Sequence, residues 1–253
     1  MSNLILAELY KLRKDRSFRM LIYLVLLIAA AYPIINYIDN QYDGDAAVSG
    51  AEFFLSSVDA NVYIIKFGLS ILAGFFISSE YSTGVMKTIA SSGSSRSRIF
   101  SAKLIGFTAG SMILSLVFPV VSTLVASLLS SFGELPVDNA AGFLLRTLGL
   151  TLLYAAGFAA IAAFFSTIFT DSGKTIGFLL IFFIMIDSIL VGLGSFMPFF
   201  MDVYDHSVFK LMLDIVKPQL EGRELVNILL TPVLTMIVMG ILGVLVYRRK
   251  EIK

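Results

Sequence analysis

The sequence predicts an all-α, polytopic membrane protein: six transmembrane helices, an N-terminal interfacial helix, and both termini in the cytoplasm. Three observations predict it. Of 253 residues, 57% are hydrophobic and only 15% charged, at a mean hydropathy of +0.88. Soluble domains carry about 25% charged residues, and a chain of this length cannot enclose so much apolar surface. Second, the charges are grouped between long charge-free runs rather than diluted evenly. Third, lysine and arginine crowd onto alternate connections, the pattern that orients helices in a membrane. Composition excludes other classes. With 22 Phe and 10 Tyr the chain is the opposite of a disordered tail. A net charge of +1 gives no nucleic-acid surface, and the lack of Cys removes disulfides, thiolate metal sites and cysteine nucleophiles.

Crossing about 30 Å of hydrocarbon takes roughly 20 apolar residues. Runs at 20–38, 67–79, 104–133, 147–170, 175–201 and 225–247 are free of charge, save for Asp187. They predict helices over about 20–38, 62–79, 104–131, 143–169, 176–197 and 225–247, the second including Lys66 near one end. The runs lack the alternation and short segments of a β-barrel, so helices are the spanning form. The first run follows Lys11, Arg13, Lys14, Arg16 and Arg19 and contains Ala29-Ala30-Ala31, which imitates a signal peptide. It continues to Ile38 and five more spans follow, so it reads as a retained helix.

Orientation follows from the basic residues. Lys11, Arg13, Lys14, Arg16 and Arg19, then Lys87, Arg96, Arg98 and Lys103, then Lys174, and finally Arg248, Arg249, Lys250 and Lys253 fall on one side. The other side has Lys66, Arg146, Lys210, Lys217 and Arg223, together with most of the acids, from Asp39 to Glu224. The basic side is expected to be cytoplasmic. Of the outer connections, 39–61 is acidic and polar. The other, 198–224, mixes charges with Phe199, Phe200, Phe209, Met212 and Ile215, which fits either short interfacial helices or a compact cap.

Residues 1–19 are amphipathic: Ile5, Leu9 and Leu12 share one helical face, with Glu8, Lys11 and Asp15 on another. This predicts a helix on the inner leaflet ahead of a single six-helix domain over 20–253. The second connection, about 80–103, is richer. Glu80 stands at the inner end of a span, followed by Gly84, a short apolar-basic stretch (Val85, Met86, Lys87, Thr88, Ile89, Ala90), a Ser/Gly break over 91–95, and Arg96-Ser97-Arg98. It reads as a short amphipathic helix on two flexible joints, which transmits force only if a soluble partner grips it. A solvated loop with positive-inside arginines has the same composition.

The pattern Glu80-x3-Gly84-x2-Lys87-Thr88, a Ser/Gly gap, then Arg96-x-Arg98 and Lys103, resembles the first cytoplasmic loop of ABC-2 type transporter permeases. The opening Glu8-Leu9-Tyr10-Lys11-Leu12-Arg13 is similar to their amphipathic elbow helix. The small six-helix permeases of bacterial exporters of antimicrobial or amphipathic peptides, including bacteriocin-immunity, bacitracin-type and cytolytic-peptide systems, look most alike. The resemblance implies a type V exporter-like fold in a bacterial plasma membrane, no cofactor on this chain, and ATP and magnesium on two separate ABC ATPase subunits. It also implies a second permease copy or paralogue. Carried over by position, Glu80, Gly84, Val85, Met86, Lys87, Thr88 and Ile89 form the ATPase-coupling segment, flanked by Arg96 and Arg98, and Ile5, Glu8, Leu9, Lys11, Leu12 and Arg13 belong to the elbow helix. The serine-rich 91–95 departs from the leucine-then-proline character common there.

The chain shows no catalytic constellation of its own. Ser172-Gly173-Lys174-Thr175 imitates the end of a phosphate-binding loop, but Ile168 stands where the motif needs its first glycine. Asp171 and Ser172 read instead as a helix cap, with Lys174 snorkelling. A rhomboid-type protease needs a histidine inside the bilayer, whereas His206 lies in an outer connection. A metal site needs several clustered ligands. Asp187 is different: a carboxylate within a span is rare and commonly functional. It is read first as a contact in the translocation path or gate, the alternative being a buried carboxyl bonded to a neighbouring Ser or Thr. Gly106-x3-Gly110 and the small residues from Ala155 to Ala163 permit close helix contact. The function implied is outward movement of amphipathic or antimicrobial peptides, or lipophilic antibiotics, through a permease subunit that is not itself an enzyme. An ion-coupled secondary transporter would want an internal repeat and several intramembrane charges. A non-transport scaffold or sensor would have no ATPase partner.

Overall fold

In a computed structural model, which describes residues 1–91 and 93–250, every regular element is a helix. Six helices are long and apolar enough to cross a membrane: Arg16–Asp43, Gly50–Ser82, Arg96–Ser130, Ala140–Ile168, Ser172–Gly194 and Gly222–Arg249. They are called here the first to sixth spans. Ser92 of the serine-rich break and Lys253 of the basic tail lie outside the described residues.

Most spans outrun their charge-free segments, because a helix continues until its end groups are capped rather than until its side chains turn polar. The clearest correction concerns 39–61, expected as an outer connection. The first span runs to Asp43, closed by Gly44, and the second begins after Ser49, whose backbone N–H reaches Glu52 Oε2 at 2.9 Å while its hydroxyl accepts from the Glu52 N–H at 3.3 Å. This capping box leaves only a short turn between the two spans. The polar residues behind it are helical, with Ser56 and Asp59 exposed and Ser57 and Asn61 buried; Asn61 donates to the Ser115 carbonyl of the third span at 2.7 Å. The third span likewise starts at Arg96 rather than near 104, so Arg96, Arg98 and Lys103 occupy its first turns.

The second and fourth spans form the centre of the bundle, with 67% of their most apolar stretch buried against 11% for the fifth. Ala155, Ala156, Gly157, Ala159, Ala160, Ala162 and Ala163 are all buried. A Cβ at Gly157 would lie 3.4 Å from Pro232, so the small-residue stripe serves packing against the sixth span of the same chain. The second span contains a π turn at Gly74–Ser78. There Ser78 Oγ and Thr175 Oγ1 approach to 2.7 Å, and a Cβ on Gly74 would lie 2.9 Å from the Ser172 carbonyl. The fifth span therefore starts against the bulge, with Asp171 accepting from the Lys174 N–H at 2.9 Å as its cap.

Between the fifth and sixth spans the chain forms the helices Pro198–Asp205 and Val208–Leu211 and a 3₁₀ turn, Met212–Val216. Phe209, Met212 and Ile215 are buried. The Phe209 ring lies 5.5 Å from Phe158 and 6.2 Å from Phe182, wedging this segment between the fourth and fifth spans. Arg146 ties it down by donating to the Lys217 and Pro218 carbonyls.

At the opposite end lies the N-terminal helix, Ser2–Lys14. It breaks at Asp15, whose carboxylate accepts from the Phe18 N–H at 2.8 Å and caps the first span. Its docked face differs from the apolar face read from sequence. Glu8 and Leu12 are buried against the third span, while Leu6, Leu9 and Tyr10 face outward and Ile5 is partly buried. Glu8 turns inward because a buried cation waits for it there.

Candidate coupling lever and intramembrane ion pair

The short helix Val85–Ser91 hangs between Gly84 (φ +74°) and Gly93 (φ +81°), left-handed conformations that side chains disfavour. Val85, Lys87 and Thr88 are exposed, Ile89 is partly buried against the core, and Met86 is 1% exposed. Met86 points into the bundle, where Tyr247 donates its hydroxyl to the sulfur at 3.0 Å. Tyr247 also packs on Phe100, ring centroids 6.1 Å apart. The helix therefore has one anchored side and one free side.

The residues around it form a clasp. Arg96 donates to the carbonyls of Arg248 at 3.0 Å and Lys250 at 2.5 Å. Lys250 in turn donates to the Thr167 carbonyl and, at 3.3 Å, to that of Ile168, the unsatisfied acceptors at the end of the fourth span. Its ammonium lies 4.4 Å from the Tyr81 ring centroid. Burial pushes the Lys250 amine down to about 8. The end of the sixth span thus touches the lever, the start of the third span and the end of the fourth.

Glu80 stands apart from the lever's free surface. It is 5% exposed and turned into the bundle, where it pairs with both Lys11 and Lys103. Lys103, 2% exposed, also meets Glu8 Oε1 at 2.7 Å, and Lys11 lies 3.8 Å from Glu8 Oε2. Phe76 belongs to the π turn. Its carbonyl accepts from Lys11 at 2.6 Å, and its ring lies beneath the same ammonium at 4.0 Å. Two acids and two lysines make a neutral quartet joining the N-terminal helix to the second and third spans. Neutrality is what permits its burial, since an unpaired charge there costs several kcal/mol.

Deeper in the bundle, Asp187 on the fifth span meets Lys66 on the second at 2.5 Å. Lys66 lies well inside Gly50–Ser82, not near the end of its helix, and it is the partner that sequence alone did not give Asp187. The pair lines a cavity of about 420 Å³ walled by Tyr63, Phe67, Phe183, Tyr204 and Phe209. Burial, then the nearby Asp187, Asp205 and Asp214 carboxylates, push the Tyr204 phenol upward, keeping it a neutral hydroxyl.

The structure thus gathers Val85, Met86, Lys87, Thr88 and Ile89 into one short helix, places Arg96 in the clasp, and leaves Arg98 and Arg13 exposed. Sequence reasoning missed Lys66, Lys103, Tyr247 and Lys250 as partners. For Lys66 and Lys103 a signal existed: a cation inside an apolar run demands an acid, and Asp187, Glu8 and Glu80 were among the acids outside the acidic connections.

Six helices long and apolar enough to cross a membrane, packed around paired internal charges, define a multi-pass membrane protein. A family model described as ABC-2 family transporter protein matches residues 4–188, and the chain belongs to that family. Its members are permease subunits of ABC transporters, transport components that are not themselves catalytic and work with ABC ATPase subunits. A search of curated proteins gave no match.

Proposed function

We propose that this permease exports amphipathic or antimicrobial peptides, or lipophilic antibiotics, across a bacterial plasma membrane, and that two ATP-binding subunits drive it through Val85–Ser91. In this reading both termini are cytoplasmic, ATP and magnesium stay on the ATPases, and a second permease completes the pathway. One observation carries the reading: a helix on two glycine joints with Met86 fixed inside and Val85, Lys87 and Thr88 outside. A partner gripping the outer side displaces Met86, and with it Tyr247 and the sixth span. The N-terminal helix, braced by the charge quartet, holds the second and third spans against that pull. Lys66 and Asp187 stand where the second and fifth spans meet and serve as path or gate.

The test is replacement of residues 85–89 by a Gly/Ser linker. The expected result is loss of the co-purifying ATPase from a permease that still elutes as a folded particle with unchanged melting. ATPase association equal to wild type overturns the coupling assignment.

A further inference from the structure

The Lys66–Asp187 pair is unequal in a way that suggests a ligand. The Lys66 side chain is 7% exposed, whereas that of Asp187 is 32% exposed, so the accessible charge in the cavity is negative. The carboxylate is also under-bonded: Lys66 meets Oδ2, while Oδ1 is buried and has no hydrogen-bond partner among the described residues. A carboxylate offers about four acceptor positions, and a buried one left unsatisfied is costly. The walls are aromatic, from Tyr63, Phe67, Phe183 and Phe209, and Lys66 lies 5.8 Å from the Phe209 ring centroid. Such walls take apolar chains and stabilise cations over their faces. The helix that supplies Tyr204 carries Asp202 and Asp205, both exposed. Nearby cations are occupied: Lys210 lies 3.6 Å from Asp214, and Lys217 bridges Asp214 and Glu224 at 3.4 and 2.6 Å. A volume of about 420 Å³ falls within the range of small-ligand pockets. It fits one ammonium-bearing side chain with its apolar flank rather than a whole peptide.

We infer that this cavity binds the primary ammonium group of an amphiphile, which shares or takes over the Asp187 carboxylate from Lys66 while its apolar part lies against the aromatic wall. The inference deepens the proposed export reading by assigning a cationic class to the cargo. The same ammonium chemistry exists on a lysine-bearing amphipathic peptide and on a phosphatidylethanolamine headgroup.

The experiment uses the full permease alone, without ATPase or nucleotide, in phosphatidylcholine nanodiscs, so its outcome is independent of coupling. Dodecylammonium is titrated against dodecanol as the uncharged control. Wild type is expected to prefer the ammonium. Asp187→Asn is expected to weaken that binding about tenfold or more, the worth of one charge-assisted hydrogen bond. Lys66→Gln is expected to tighten it, because the competing internal cation is gone. The double variant, K66Q with D187N, keeps size and neutrality; it is expected to melt closer to wild type than either single variant and to bind ammonium no better than alcohol. A purely structural ion pair predicts weakened folding in both single variants and no opposite shifts in binding. Equal affinity for amine and alcohol in wild type, or Lys66→Gln binding as weakly as Asp187→Asn, overturns the inference. Two competitors identify the source: displacement of dodecylammonium by phosphatidylethanolamine in the nanodisc assigns the site to a lipid headgroup, and displacement by a lysine-bearing amphipathic peptide assigns it to peptide cargo.

Discussion

Tyr247 donates its hydroxyl to the Met86 sulfur across 3.0 Å, joining the last turn of the sixth span to the inward side of the lever helix. The contact combines a weak hydrogen bond with a large packing surface, because Tyr247 is 1% exposed and its ring rests near Phe100. Packing outweighs the hydroxyl. Tyr247→Phe is expected to lose about 1 kcal/mol at most, whereas Tyr247→Ala opens a cavity and loses about 3–5 kcal/mol. Denaturation of the purified permease separates the two. In the assembled transporter, Tyr247→Phe should keep ATP hydrolysis linked to cargo movement, and Tyr247→Ala should leave hydrolysis running with less transport. Two variants with equal transport would remove the sixth span from the coupling route.

Lys103 is the member of the quartet that two carboxylates need. Lys103→Met leaves Glu80 with Lys11 and strips Glu8 of its 2.7 Å partner, so it is expected to lower stability by about 3–5 kcal/mol. Adding Glu8→Gln to the same variant removes the excess negative charge and should recover part of that loss. Lys87→Met, on the exposed side of the lever, should stay within about 0.5 kcal/mol of wild type. Thermal melting in one detergent compares all three, and a Lys103→Met protein that melts like Lys87→Met would show the quartet to be dispensable.

The fold was largely legible, because lack of charge over about 20 residues is a direct consequence of the hydrocarbon solvent. Helix ends were less so. Ser49 and Glu52 form a capping box that a charge count treats as loop, and Asn61 looks solvent-facing until Ser115 of the third span is set beside it. The short helix Val85–Ser91 was readable from Gly84 and the apolar-basic stretch after it, since local conformation governs it. Glu80 was not separable from that stretch by sequence, because its inward turn depends on Lys11 and Lys103, which lie 69 positions before it and 23 after it. Asp187 stood out alone for the same reason: Lys66 is 121 positions away, and only the packing of the second span on the fifth brings them together.

The Gly106–Gly110 step seats the N-terminal helix. A Cβ at Gly106 would lie 2.9 Å from the Glu8 Cβ, and one at Gly110 would lie 2.9 Å from Leu12 Cδ1. The Glu8 Cβ is next to backbone and cannot swing aside, so a larger residue must lift the helix. Gly106→Leu is expected to lose about 1–3 kcal/mol and to expose residues 1–15 to protease while the six spans persist. Gly149→Leu, where nothing lies within 4 Å, serves as the control and should change neither readout. Undiminished protection in Gly106→Leu would mean that the charge quartet alone holds the helix.

Lys250 gives the clasp a pH dependence. Its amine titrates near 8 in the folded chain because burial disfavours the ammonium, against about 10.5 for an ordinary lysine. Below pH 8 the amine is protonated in both folded and unfolded chains, so the burial penalty is present in full. Between about 8 and 10.5 the unfolded chain binds the extra proton, and stability from this group rises with pH. The neutral amine still donates to the Thr167 and Ile168 carbonyls, so the clasp persists as the proton leaves and the gain is relief of the burial penalty. Because only the neutral amine is nucleophilic, acylation of Lys250 by an amine-reactive reagent should reach half its maximal rate near pH 8, followed by mass spectrometry of the C-terminal peptide. Melting of Lys250→Met should lack the rise that wild type shows over the same interval. A labelling midpoint above pH 10 would place the ammonium in water and the clasp open.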